Sequence, residues 1–370
     1  MNKKKISEYA TYYVKILGMR KVVFFIFIGL IIIVAGLYLT EQQQDYQLLS
    51  PLGVDFNSFK SLPSPTPKPR IYDQYSFDNI SKKEFPKGQI KLEKILKKDK
   101  GFVSWLFSYD YNGKKISGML NLPDEAAGLI NSKKEIVKTD KKWPVVVMMR
   151  GYVDDNIFYT GIGTQPAASK FAQNGFITFA PDFLGFGDSD QAAIDILEAR
   201  FQCPEEVLSL LSSLETFPLI DTAKMFFWAH SNGGQIALSV LEITGRQIPT
   251  TLWAPVSRGF PEAVLQYMDL DNLDEGGLKV KKAIDDFLVD YSPGDFSVDY
   301  HWDEVKAPLQ VHQGLSDDMI PIEWTDSFVS SVKKTNKQVN YYKYRYSNHQ
   351  LAYDWDTVVD RDLNFFRKFL

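Results

Sequence analysis

Hydrophobic and polar positions fall into three regimes along the chain. Residues 22–39, VVFFIFIGLIIIVAGLYL, run for 18 positions without a charge. At about 1.5 Å per residue this makes a helix of about 27 Å, close to the hydrocarbon thickness of a bilayer. Inside lipid the backbone must pair its own amides, and a helix does so. A core helix would carry polar residues on one face, and none occur here. A cleaved signal peptide has a shorter apolar stretch and a small-residue cleavage site, to which Val34-Ala35-Gly36 is a weak match. The run predicts a transmembrane anchor. Lys15, Arg20 and Lys21 precede it, whereas Glu41, Asp45 and Asp55 follow it and the next basic residue is Lys60. The positive-inside rule puts residues 1–21 in the cytoplasm and everything after residue 40 outside the cell membrane.

The second regime, residues 40–70, is polar and proline-rich. It holds the run Gln42–Gln44 and the stretch LPSPTPKP at 62–69. Alternating prolines favour an extended polyproline II spacer, so this segment reads as a linker.

The third regime, residues 71–370, reads as one domain in which short apolar runs alternate with amphipathic stretches. FVSWLFSYDY and KKISGMLNLP flank Asn112-Gly113 and predict a β-hairpin. PVVVMMRG (144–151) is a β-branched run expected of a strand buried on both faces. Helical patterns at 166–175, 204–215, 234–244, 322–334 and 357–370 alternate with strand patterns at 224–231, 250–254, 309–313 and 339–344 and with 176–190, a strand followed by a glycine-punctuated loop. This alternation predicts a mainly parallel sheet with helices on both faces. Residues 258–303 break the rhythm and read as a cap inserted over the C-terminal edge of the sheet.

Charge narrows the partners. The net charge is −4, but the first 21 residues carry +5, leaving −9 on the remaining 349. An acidic body is a poor match for phosphate backbones, so no nucleic-acid partner is expected. Cys203 is the single cysteine, which excludes an internal disulfide and a cysteine-based zinc site. The four histidines, His230, His301, His312 and His349, show no metal-ligand spacing, so no metal or other cofactor is expected.

Chemistry concentrates at Ala229-His230-Ser231-Asn232-Gly233-Gly234. The hexapeptide follows the apolar MFFW and precedes a helical pattern, the strand–turn–helix setting of a nucleophile elbow. Such a turn needs small residues two before and two after the nucleophile, here Ala229 and Gly233. The plainer alternative is a serine capping a glycine-rich helix start. A serine nucleophile needs a base and an acid that orients the base, in the chain order Ser, acid, His. His312 lies inside a strand and His301 in the insertion, so His349, on the loop after the last strand, is the expected base. The expected acid lies in GLSDDMIP (314–321), where Asp317 is preferred and Asp318 competes. The backbone amides of Asn232 and Tyr152, or else Gly151, are the candidate oxyanion donors. Asp182, Phe183, Trp253 and Tyr267 are candidate walls of a substrate pocket, with a turn role also open to Asp182.

Together PVVVMMRG, FAPDFLGFGDSD, Ser231-Asn232-Gly233-Gly234, GLSDDMIP and SNHQ resemble an α/β-hydrolase. More narrowly they resemble the catalytic domain of prolyl-oligopeptidase-type serine peptidases, over about residues 100–370. The resemblance implies the α/β-hydrolase fold, a serine peptidase acting through an acyl-enzyme, and Asp317 as the acid, since the first Asp of the similar family signature is catalytic. Two departures stand out. About 60 residues between anchor and domain cannot form the family's β-propeller. Arg150 also stands where those peptidases usually place an oxyanion tyrosine. A carboxylesterase or dienelactone-hydrolase-like esterase is therefore the alternative, and an inactive binding module of the same fold is a further one. The expected partner is a peptide or ester substrate; the oligomeric state stays open.

Overall fold

The Asn112-Gly113 turn has both residues at positive φ, 51° and 78°, the backbone of a tight hairpin turn that matches strand twist. The computed structural model describes residues 69–335 and 338–370. The predicted membrane span at 22–39, the basic tail and nearly all of the linker lie outside the described residues. Among the described residues no helix is long and apolar enough to cross a membrane. Residues Pro69–Leu370 form one unit.

Nine strands occur among its described residues: β1 (Lys91–Asp99), β2 (Phe102–Tyr111), β3 (Lys114–Pro123), β4 (Trp143–Met149), β5 (Ile177–Pro181), β6 (Ile220–His230), β7 (Thr250–Trp253), β8 (Leu309–Gly314) and β9 (Val339–Tyr344). They form one sheet in the order β1-β2-β3-β5-β4-β6-β7-β8-β9. The first three strands and the β3–β5 pair are antiparallel, and all pairs from β5 to β9 are parallel. Strand β1 was not legible in the hydropathy pattern. It is an edge strand of sequence KLEKILKKD, and its lysines discourage pairing with another chain.

The central strands serve two cores, because successive side chains point to opposite faces. Val145, Val147, Met149, Phe227 and Ala229 pack on one face with Leu211 and Leu238, from helices Cys203–Leu214 and Asn232–Thr244. Val146, Met148, Phe226 and Trp228 pack on the other with Phe171 and Phe366, from helices Gln165–Gln173 and Trp355–Arg367. Burial on both faces explains the unbroken apolar runs of β4 and β6.

The 258–303 insertion is more regular than expected. It contains the 16-residue helix Glu275–Asp290. Val280, Ala283, Ile284 and Phe287 recur at helical spacing and face an aromatic cluster. Phe287 lies 5.4 Å from Phe201, 5.1 Å from Phe260 and 5.2 Å from Phe296, centroid to centroid. Phe201 belongs to a short helix, Ile196–Phe201, that the sequence pattern did not reveal.

Candidate active site

Strand β6 ends at His230 and the next helix starts at Asn232, which leaves Ser231 alone in the turn. Its backbone has φ 54° and ψ −122°, a conformation that costs a non-glycine residue about 1–3 kcal/mol. Three hydrogen bonds hold it there. The Ser231 amide donates to Trp253 O at 3.0 Å, and its carbonyl accepts from Gly234 and Val256 amides at 2.9 Å each. The small residues are sterically required: a Cβ on Gly233 would fall 2.1 Å from the Met149 carbonyl oxygen. One on Gly151 would fall 2.9 Å from Ser231 Cβ. The loop after β4 is thus pressed directly against the serine.

Strands β8 and β9 are adjacent and parallel, so the loops leaving their C-terminal ends are neighbours. His349 Nδ1 donates to Asp317 Oδ2 at 3.0 Å. The same oxygen accepts from Gln313 Nε2 at 2.8 Å, while Oδ1 accepts from the Met319 and Ile320 amides at 2.8 and 3.0 Å. Burial alone would raise the Asp317 carboxyl; the bonds from His349, Ile320 and Met319 outweigh it and hold its pKa below the usual carboxylate value. Asp318 is exposed and makes no such contacts. The two adjacent carboxylates, equivalent on paper, are separated by this geometry. Gln313 is positioned in turn by Thr325, whose hydroxyl donates to its Oε1 at 2.9 Å. Three polar residues, Gln310, His312 and Gln313, within the fully buried six-residue strand β8 are the sequence signal for such support.

The other histidines are occupied elsewhere. His312 is fully buried, with Nε2 donating to Asp362 Oδ1 at 2.9 Å and Nδ1 accepting from the Tyr344 hydroxyl at 2.7 Å. His301 bonds to the Gly294 carbonyl. His230 donates from Nε2 to the His349 carbonyl at 3.0 Å, and the two rings lie 4.7 Å apart. Burial, then the neighbouring His349, push the His230 pKa down to about 4, so its ring stays neutral at pH 7. The chain segment bearing His349 is thereby tied to the residue next to Ser231. The Ser231 hydroxyl makes no hydrogen bond among the described residues, to His349 included; such pairs commonly tighten only when substrate binds.

Asn232 is the first residue of its helix and Tyr152 directly follows the Gly151 contact. The Tyr152 side chain is exposed and donates to Asp154 at 2.8 Å, and the residue lies at the edge of the cavity beside Asn232. Beside Asn232 opens a cavity of about 420 Å³, walled by Phe183, Phe186, Phe201, Phe260 and Phe296.

The candidate pocket walls divide accordingly. Phe183 lines the cavity. Asp182 does not: it is buried, and its Oδ2 accepts from the hydroxyls of Ser117 at 2.6 Å and Thr160 at 2.8 Å, which ties β3 to the loop after β5. Trp253 does not either. It belongs to the core, and its indole N–H donates to Asp362 Oδ2 at 2.7 Å. Tyr267 is half-exposed on the insertion, outside the cavity wall but within electrostatic reach of Asp317; burial first, then that carboxylate, push its hydroxyl up to about 12. The cavity also holds Arg150, Arg200 and Gln235, which sequence reasoning did not assign to it.

No protein-family model and no curated protein matches the sequence. Solved structures do match. Acetyl xylan esterase 1 from Thermoanaerobacterium sp. JW/SL YS485 aligns with 13% identity and a TM-score of 0.52, over 85% of this chain and 99% of that one. An esterase from Pyrococcus furiosus aligns with 14% identity and a TM-score of 0.52, over 76% and 98%. The chain has the α/β-hydrolase fold. A puromycin-hydrolysing peptidase of Mycobacterium tuberculosis aligns with 14% identity and a TM-score of 0.51, over 74% of this chain and 40% of that one. Solved structures of esterases and of a peptidase share this fold alike at this level of identity, and the likeness is one of fold. The geometry itself brings a strained serine, a hydrogen-bonded His–Asp pair and candidate amide donors to one edge of the sheet, a set able to perform acyl transfer.

Proposed function

We propose that this protein is a serine hydrolase that cleaves ester or peptide bonds through an acyl-enzyme on Ser231. The Asp317–His349 hydrogen bond beside the strained Ser231 turn carries this reading. Ser231 Oγ attacks the carbonyl carbon and its proton passes to His349 Nε2. Asp317, accepting from Nδ1–H, keeps the ring in the tautomer that leaves Nε2 free to receive that proton. The oxyanion is met by the amides of Asn232 and Tyr152, each worth about 3–4 kcal/mol. His349 then protonates the leaving group. Water, deprotonated by the same base, releases the acyl product and restores Ser231.

Among finer readings, a prolyl-oligopeptidase-like peptidase is supported by the motif resemblance. The end of β4 favours an esterase, because Arg150 occupies the position where those peptidases offer a tyrosine. Its guanidinium is already engaged by the Gly151 and Asp182 carbonyls, at 2.9 and 3.0 Å. The test is labelling with a fluorophosphonate probe. Wild type should label, and Ser231→Ala and His349→Ala should not. An unlabelled but folded wild type would overturn the enzyme reading and favour a binding module. Panels of activated esters and of prolyl peptides then separate the finer readings.

We also propose that residues 22–39 anchor the protein in the cell membrane, with the catalytic unit outside. The uncharged run and the flanking lysines and arginine support this. Release of the full chain from membranes by alkaline carbonate, or protection of Pro69–Leu370 from external protease in spheroplasts, would overturn it.

A further inference from the structure

The cavity beside Asn232 is walled largely by aromatic rings, yet two guanidinium groups line it, and neither is in an ion pair among the described residues. Arg150 is buried. It donates to two backbone carbonyls and lies against the rings of Phe158 and Phe186, 4.8 and 4.2 Å from their centroids. Its Nε is buried without a partner. Arg200 is partly buried and donates to the side-chain oxygen of Gln235, a neutral group. Burial pulls both guanidinium pKa values below their usual level.

Among the described residues no carboxylate nearby hydrogen-bonds either guanidinium, although the Asp182 charge acts on Arg150 through space. The Asp182 carboxylate is turned onto Ser117 and Thr160, with its carbonyl rather than its carboxyl on Arg150. Glu206 accepts from the Leu184 amide, and burial pushes it up to about 8, so it is mostly protonated at pH 7. Burial pushes the Cys203 thiol up and keeps it neutral. Asp155 sits exposed at the rim, in water. The hydrogen-bond acceptors of both guanidinium groups are neutral, so an entering anion gives Arg200 above all a charge-assisted partner that it otherwise lacks. A guanidinium fork fits a carboxylate with two parallel bonds.

Position adds a constraint. Gln235, which holds Arg200, is three residues beyond Asn232, one turn along the same helix, and Arg200 and Asn232 line the same cavity. We propose that this cavity takes the carboxylate end of an acidic ester or amide substrate, held by Arg200 and Arg150, with a short apolar spacer among the phenylalanines. This rests on the hydrolase reading and adds its substrate class.

The test compares 4-nitrophenyl hemiglutarate with 4-nitrophenyl valerate, which differ in one carboxylate. Wild type should prefer the hemiglutarate in kcat/KM. Arg200→Gln should cut that preference about tenfold or more, and Arg200→Lys should keep part of it. Equal rates on the two esters in wild type, or an unchanged ratio in Arg200→Gln, overturn the proposal while leaving the hydrolase standing. A second arm needs no turnover. The Ser231→Ala protein is titrated calorimetrically with monomethyl glutarate and with methyl valerate. Tighter binding of the glutarate, weakened by Arg200→Gln, supports the anion site even if no ester is cleaved. Equal binding, or none, refutes it. If Arg200→Gln does not fold, the Arg200→Lys ratio and the wild-type preference decide.

Discussion

Replacing Asp317 with asparagine changes one atom, and its consequence can be worked out from the donors around it. The carboxylate accepts four hydrogen bonds, two at each oxygen. Asparagine has one oxygen and one NH₂. The Met319 and Ile320 amides at Oδ1 are fixed donors that cannot turn away, so the asparagine oxygen must face them. The NH₂ then takes the Oδ2 place. Gln313 can flip its amide to receive it, with the Thr325 hydroxyl rotating to suit. His349 can receive it only by presenting an unprotonated Nδ1, which moves the ring proton to Nε2. A histidine in that tautomer cannot accept the Ser231 proton. Loss of the correct tautomer costs about 10⁴ in rate, or about 5.4 kcal/mol at 1.36 kcal/mol per tenfold. The fold should survive, so the loss should appear in kcat and in fluorophosphonate labelling rate, with the Tm difference from wild type shrinking only in acid below the usual carboxylate range, where Asp317 itself takes up a proton. At pH 7 the variant should be less stable than wild type. Asp317 has a depressed pKa in the fold, so its carboxylate contributes stability above the usual carboxylate range and loses it as pH falls. Activity of Asp317→Asn within an order of magnitude of wild type would refute the reasoning.

Further outcomes follow from other sites. Asp362→Ala should destabilise by about 3–5 kcal/mol, seen as a lower urea midpoint, because it strands the donors of Trp253, Gln310 and His312 in the core. Gly233→Ala should abolish labelling and cost at least about 1–3 kcal/mol, since its Cβ would meet backbone rather than a movable side chain. Glu242→Leu should stabilise by about 1–3 kcal/mol, because both carboxyl oxygens are buried without partners. Burial raises that carboxyl well above its ordinary value, so wild type loses stability as pH climbs past about 4.3, and the Tm gain of the variant should be larger at pH 8 than at pH 5. His230→Gln keeps a donor for the His349 carbonyl but cannot titrate. Wild type should lose stability between about pH 6.5 and about pH 4, where folded His230 resists protonation, and the variant should lose less over that window by thermal melts.

The alternation of strands and helices from β2 to the C-terminal helix was legible in the sequence, apart from the short helix Ile196–Phe201 and the helix Glu275–Asp290 in the insertion, and so was the place of Ser231, Asp317 and His349 within it. Hydrophobic periodicity, the Asn112-Gly113 turn and the small residues around Ser231 are local features, and local physics fixes them. The N-terminal apolar run is equally local. What the sequence could not show depended on distance. Asp317 and Asp318 are neighbours with the same chemistry, and only the approach of His349 from the next strand separates them. Trp253 ends β7 and Asp182 directly follows β5, as pocket walls would, but tertiary partners 109 residues away at Asp362 and 65 away at Ser117 turn them into the fold. Arg150 and Arg200 are 50 positions apart and belong to different elements. Nothing in either neighbourhood signals that they share a cavity with Asn232, and only the packing of the 258–303 insertion against Phe201 encloses them there. Local steric and hydropathic rules therefore determined the scaffold and the reacting groups, whereas the environment of each charge was set by long-range packing.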